Sequence, residues 1–183
     1  MRQLGWLASA CVLFAAVVAV DGWPALRELD SSREWRAIDA APNGASLEGL
    51  QVAVETQVAA IAAQRPERAA VLIRLSMEVT PAAREAWKDC RVSLHDTAGK
   101  VWMPLTSANS DGAIKALSPD RKSFGPCRLY STDERENKET ILADQLFLLP
   151  ADSLQTLRLH VSGVGTRPRA LSFAIAPAVR QLP

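Results

Sequence analysis

Cys90, His95, Cys127 and His160 are the side chains of this sequence best suited to metal ligation or nucleophilic chemistry. Together they would make a two-thiol, two-imidazole donor set. Their spacing argues against it. Structural zinc ligands come in close pairs such as Cys-x2-Cys, which pin one loop. Here the shortest separation is the five residues from Cys90 to His95, along one predicted strand. Strand alternation sends those two side chains to opposite faces. A redox centre would place Cys-x-x-Cys at a helix start, where the thiol pKa is lowered, and no such motif occurs. The sequence therefore predicts no metal and no cofactor.

A hydrolase requires a nucleophile, a base and an oxyanion site. His95 is followed by Asp96, but adjacent strand residues diverge and cannot pair directly. No Gly-x-Ser-x-Gly elbow is present, and "SGVGTR" (162–167) follows a strand without opening a helix, unlike a phosphate cradle. Carboxylates on distant strands remain the only route to an exported hydrolase. Trp87 and Trp102, on either side of the Cys90 strand, are expected to pack in the core and at its rim, with a sugar-stacking platform as the alternative. No residue is assigned a catalytic role.

What the cysteines do depends on their compartment. The run from Leu4 to Val20 in "MRQLGWLASACVLFAAVVAVDG" carries no charge. At about 1.5 Å per residue it would extend roughly 25 Å as a helix, slightly less than a bilayer core. Arg2 and the amino terminus favour keeping that end in the cytoplasm. The run is read as an uncleaved signal anchor at the bacterial inner membrane, with the rest of the chain outside the cytoplasm. Cleavage near Ala19, releasing a periplasmic or secreted protein, is the first alternative. A lipoprotein signal at Cys11 fits less well, because Ala8 stands where a large aliphatic residue is needed. Export permits disulfides. With Cys11 in the apolar run, Cys90 and Cys127 are predicted to form one, and two buried thiols are the alternative.

Outside Arg2, 20 basic and 20 acidic residues balance. That excludes the basic face a nucleic-acid binder needs. The charge-dense "TDERENKE" (132–139) mixes both signs and reads as a solvated loop.

Three segments follow: 1–20 as signal anchor or signal peptide, 21–46 as a linker containing Trp23, Leu26, Leu29 and Trp35, and 47–183 as the folded domain. Within the last, period-two runs mark strands at 50–61, 70–79, 90–96, 100–105, 127–131, 144–150, 153–161 and 170–177. Val71, Ile73, Leu75, Met77 and Val79 share one face of the strongest. Thr80 and Pro81 open a short helix within 80–89. Residues 107–125 are expected to form a loop with one short strand near Ile114–Leu117. Seven to eight short strands without a long amphipathic helix predict an all-β antiparallel sandwich, with a barrel as the alternative.

The succession "LQVAVETQV", "AVLIRLSMEV", "CRVSLHDTAGKVW" and "LFLLPADSLQTLRLHV" resembles the immunoglobulin-like extracytoplasmic domains of bacterial envelope proteins, over residues 47–178. The cysteines do not occupy the antibody-type strand positions with a tryptophan between them. The resemblance implies binding or assembly instead of catalysis. The expected function is a membrane-anchored interaction module whose partner is another envelope or membrane protein. Its contact surface would be the loop end containing 107–125 and 132–140. A secreted small-ligand binder is the further alternative.

Overall fold

Alternation along one central strand sets the core. Val71, Ile73, Leu75, Met77 and Val79 are each at most 1% exposed, as side chains two apart on a strand must share a face. The computed structural model describes residues 11–18, 20, 22, 36–41, 43–106, 110–127 and 139–183. Residues 11–18 are helical (α1). The next strands are β1 (Arg36–Ala40), β2 (Ala45–Leu47), β3 (Leu50–Ala62) and β4 (Arg68–Val79). Helix α2 (Pro81–Ala86) leads to β5 (Arg91–His95) and β6 (Val101–Trp102). Helix α3 (Ser110–Leu117) precedes β7 (Glu139–Pro150), then β8 (Leu157–Ser162), β9 (Arg169–Ile175) and β10 (Ala178–Leu182).

The strands form two facing sheets, β1-β9-β8-β5-β6 and β10-β3-β4-β7, the second with β2 added alongside β3. The protein is an all-β sandwich. Pairing is antiparallel except at two edges, where β1 runs parallel to β9 and β10 parallel to β3. Leu94, Leu159, Val161, Leu171 and Phe173 of the first sheet meet Val52, Leu75, Met77 and Phe147 of the second in one buried cluster.

Ten strands appear among the described residues, where seven or eight were expected. The additional ones are β1, β2 and β10. All five residues of β10 and four of the five in β1 are exposed, so neither contributes the buried alternation that reveals a strand. Both β1 and β2 begin within the 21–46 segment expected as a linker. Residues 23–35, with Trp23, Leu26, Leu29 and Trp35, lie outside the described residues, as do 128–131 of the expected 127–131 strand and 132–138 of the charged segment. So do residues 4–10 and 19 of the apolar run. Among the described residues no helix is long and apolar enough to cross a membrane.

The strand expected near Ile114–Leu117 is instead part of α3. Ile114 and Leu117 lie three apart, so only a helical turn aligns them. They pack on Ala60, Leu72 and Leu146, on the outer face of the second sheet. Lys115 and Asp111 form an i,i+4 ion pair at 2.7 Å on its solvent side. The helix also explains why β4 is buried on both faces.

Local chemistry fixes two joints that place the loops. Leu47 pairs with Leu50 across a two-residue turn in which Glu48 (φ 47°) and Gly49 (φ 77°) both adopt left-handed conformations, the geometry that suits a tight hairpin. Thr80 caps α2 by accepting a hydrogen bond from the Ala83 N–H at 3.3 Å. The turn after α2 carries Trp87, fully buried, with its indole N–H donating to the Leu47 carbonyl at 2.9 Å. Trp102 is half-buried against the same core.

Candidate binding cleft

Cys90 and Cys127 form a disulfide, with Cα atoms 5.6 Å apart across a sequence separation of 37. Cys90 ends the turn that follows α2. Cys127 is 5% exposed and its Sγ lies 3.5 Å from Met77 Sδ in the core. The bridge thus fastens the segment after α3 to the start of β5, across the gap between the sheets. Cys11 is exposed and free.

The same segment is held from its other side by Arg74. This arginine sits at the centre of β4 and is only 4% exposed. Its Nε and Nη2 donate to the two carboxylate oxygens of Asp144 on β7, at 2.7 and 3.0 Å. Nη1 donates to Asp120 at 3.0 Å, and Nη2 also reaches Ser118 Oγ at 2.9 Å and the Lys122 carbonyl at 3.1 Å. The guanidinium lies 4.5 Å from the centre of the Phe124 ring. Asp144 accepts a further bond from the Phe124 N–H at 2.8 Å. Charge-assisted, two-point pairing of this kind orders a loop as well as neutralising a buried charge. The hydrogen bond from Arg74 to Asp144 is the main reason that the guanidinium pKa is raised. Asp120 is held below the usual carboxylate range, first by the Ser118 hydroxyl, then by the Lys122 N–H and by Arg74.

These fastenings leave a cleft of about 950 Å³ at the β6–β7 edge of the sandwich. Met103, Leu105, Ile114, Phe124, Pro126 and Leu146 give it apolar walls, and the disulfide forms part of the lining. Two backbone bonds define its sides along β7. The Leu105 N–H donates to the Leu146 carbonyl at 2.7 Å, and the Asp144 N–H donates to the Gly125 carbonyl at 3.1 Å. Lys88, Arg91 and Arg167 line the wall next to Cys90, together with Asp89. Gln145 also lines the cleft. It is 4% exposed, and its Nε2 has no hydrogen-bond partner among the described residues.

The two histidines lie elsewhere. His95 and His160 stack on the outer face of the first sheet, with ring centres 3.9 Å apart and planes inclined by 24°. His95 Nε2 is 2.9 Å from Ser93 Oγ. Arg158, opposite His95 in register, donates from Nε to Ser172 Oγ at 2.8 Å and pairs with Asp39. The fold therefore joins the cysteines to each other and the histidines to each other, in two places. Among the described residues no group of three or more His, Cys, Asp and Glu converges as a metal site would. Asp96 accepts from the Lys100 N–H at 2.9 Å and closes the β5–β6 turn.

The glycines of "SGVGTR" have a packing role. A Cβ on Gly163 would sit 2.4 Å from the Ala86 carbonyl oxygen, and one on Gly165 would sit 2.7 Å from Ala86 Cα. The Gly165 N–H donates to the Ala86 carbonyl at 2.8 Å. Two backbones meet here at a distance only glycine permits.

Arg74, Asp144 and Gln145 carried no motif. Their signal in the sequence is slight: one cation inside "AVLIRLSMEV" and two polar residues inside "ILADQLFLL", each interrupting an apolar strand. Such interruptions predict buried polar groups that need partners.

No protein-family model matches the chain, and no curated protein matches it in sequence. In three dimensions it is similar to a conserved hypothetical protein from Bacillus anthracis at 12% identity, covering 72% of this chain and 93% of that one, with a TM-score of 0.40. It is also similar to a Staphylococcus aureus protein provisionally described as a lipoprotein, at 8% identity, covering 77% and 94%, with a TM-score of 0.40.

Proposed function

We propose that the chain is a non-catalytic interaction or assembly module held at the bacterial inner membrane by residues 4–20, with the sandwich outside the cytoplasm and another envelope protein as partner. The observation that carries this reading is the β6–β7 edge. Val101, Met103 and Leu105, at every second position, are 50%, 49% and 44% exposed, next to a loop braced by the disulfide and by Arg74. Clustered exposed apolar side chains on a rigid frame are characteristic of protein-binding surfaces. The disulfide supports an oxidising compartment.

The strand order supports an immunoglobulin-like assignment. The strands β3-β4-β7 facing β9-β8-β5-β6 follow the A-B-E and G-F-C-C′ arrangement of that fold. Under this assignment β1 and β10 are additional edge strands.

The test is photocrosslinking in intact cells of the source bacterium. A photoreactive amino acid is placed at Val101, at Lys122, or at Val179 on the far edge of the full-length protein. The expected result is one discrete envelope-protein adduct from Val101 and Lys122 and none from Val179. Identical adducts from all three positions, or no adduct from any, would overturn the reading.

A further inference from the structure

We propose that the cleft beside Cys90–Cys127 binds a small anionic amphiphile, a hydrocarbon chain ending in a carboxylate. This goes beyond the protein-interaction reading and does not depend on it.

Gln145 is the starting point. A buried amide N–H without a partner carries a desolvation cost that native proteins rarely leave unmet. Gln145 is one of the residues lining a cleft of about 950 Å³, within the roughly 300–1,000 Å³ typical of small-molecule sites, and its amide nitrogen is buried in that wall. It therefore calls for an acceptor oxygen brought by a ligand.

The charges around the cleft select the acceptor. Asp144 is committed to Arg74, and Asp111 to Lys115, so neither presents a free carboxylate to the cleft. Lys88 pairs with Glu85 at 2.5 Å. Among the described residues Arg91 has no ion pair, and the Arg167 guanidinium bonds to the Ser162 hydroxyl and the Asp89 carbonyl and to no carboxylate. Two guanidiniums against the single carboxylate of Asp89 leave this wall positive. A carboxylate provides one oxygen for the Gln145 amide and another for a guanidinium. The remaining walls, Met103, Leu105, Ile114, Phe124 and Leu146, are apolar and suit a hydrocarbon chain. A neutral polar ligand would leave the cationic wall unmatched, and a purely apolar one would leave Gln145 unsatisfied.

The experiment uses the full-length protein in amphipol with a diazirine analogue of octanoate, its octan-1-ol counterpart and its octylammonium counterpart. Adducts are mapped by tandem mass spectrometry. The octanoate probe is expected to label segments 103–106 and 123–127, at least about tenfold more efficiently than the alcohol or the amine. Arg91→Gln is expected to reduce octanoate labelling by about tenfold and to leave octanol labelling unchanged. Gln145→Leu is expected to reduce octanoate labelling as well, and Arg91→Gln keeps the test intact if the buried variant fails to fold. Equal labelling by all three probes, labelling confined to residues 11–18, or an Arg91→Gln protein that labels like the wild type would each overturn the proposal.

Discussion

Arg74 and Asp144 face each other on adjacent strands of one sheet and meet at two points, Nε to Oδ1 at 2.7 Å and Nη2 to Oδ2 at 3.0 Å. Arg74↔Asp144 is also a register pair between β4 and β7. A single cross-strand pair thus neutralises a buried charge and, through Ser118, Asp120 and Lys122, holds the loop that walls the cleft.

Removing one member of that pair should cost far more than removing both. Asp144→Ala leaves the guanidinium buried with Asp120 as its remaining ionic partner, and is expected to lower stability by about 3–5 kcal/mol. Replacing both, as Arg74→Leu with Asp144→Leu, should recover most of the loss. Urea unfolding measures it. Trypsin reports the loop directly, since cleavage at Arg121 and Lys122 should accelerate in both variants. Equal stability of the single and double variants would contradict this account.

Asp120 gives the loop an acid limit. Its carboxyl lies below the ordinary range because Ser118, the Lys122 N–H and Arg74 all favour the ionised form. A carboxylate depressed by folding stabilises the native state above its unfolded pKa, and that contribution is lost as pH falls through the folded value. The wild type should therefore lose stability below about pH 4. Asp120→Asn should be less stable at neutral pH and lose less on acidification. Unfolding midpoints measured from about pH 7 to about pH 3 test it, and parallel curves for the two proteins would refute it.

The disulfide closes a separation of 37 residues, which in the chain-entropy account contributes about 4 kcal/mol. Cys90→Ser combined with Cys127→Ser should show a loss of that order in urea, together with faster hydrogen exchange in 123–127. Unchanged exchange in that segment would mean that the Arg74 network alone holds it.

Gly163→Ala places a methyl group 2.4 Å from the Ala86 carbonyl oxygen and 2.5 Å from Trp87 Cα. Both obstacles are backbone, so α2 must shift. The expected cost is about 1–3 kcal/mol, or a fall in Tm of several degrees. Gly99→Ala has open space around it but a φ of 81°. It should be destabilised by backbone strain with no disturbance at Trp87, and near-ultraviolet circular dichroism distinguishes the two.

The sequence alone determined the sandwich and most of its strands, because burial on one face imposes a period of two that local composition displays. Val71 to Val79 on β4, Leu157 to Val161 on β8 and the Thr80–Pro81 helix start could be read in this way. It also identified the cysteine pair, since only two cysteines remain once Cys11 is assigned to the apolar run. The tertiary structure decided everything that depends on which strands become neighbours. Edge strands such as β10 bury no side chains and leave no periodic trace. Ile114 and Leu117 acquire their meaning only when Leu72 and Leu146 lie beneath them. Arg74 and Asp144 are 70 residues apart, and only the pairing of β4 with β7 converts two isolated charges into a buried clamp. The cleft has the same origin, because its walls come from separate stretches of chain, from Lys88 to Arg167, that the disulfide and this clamp bring together.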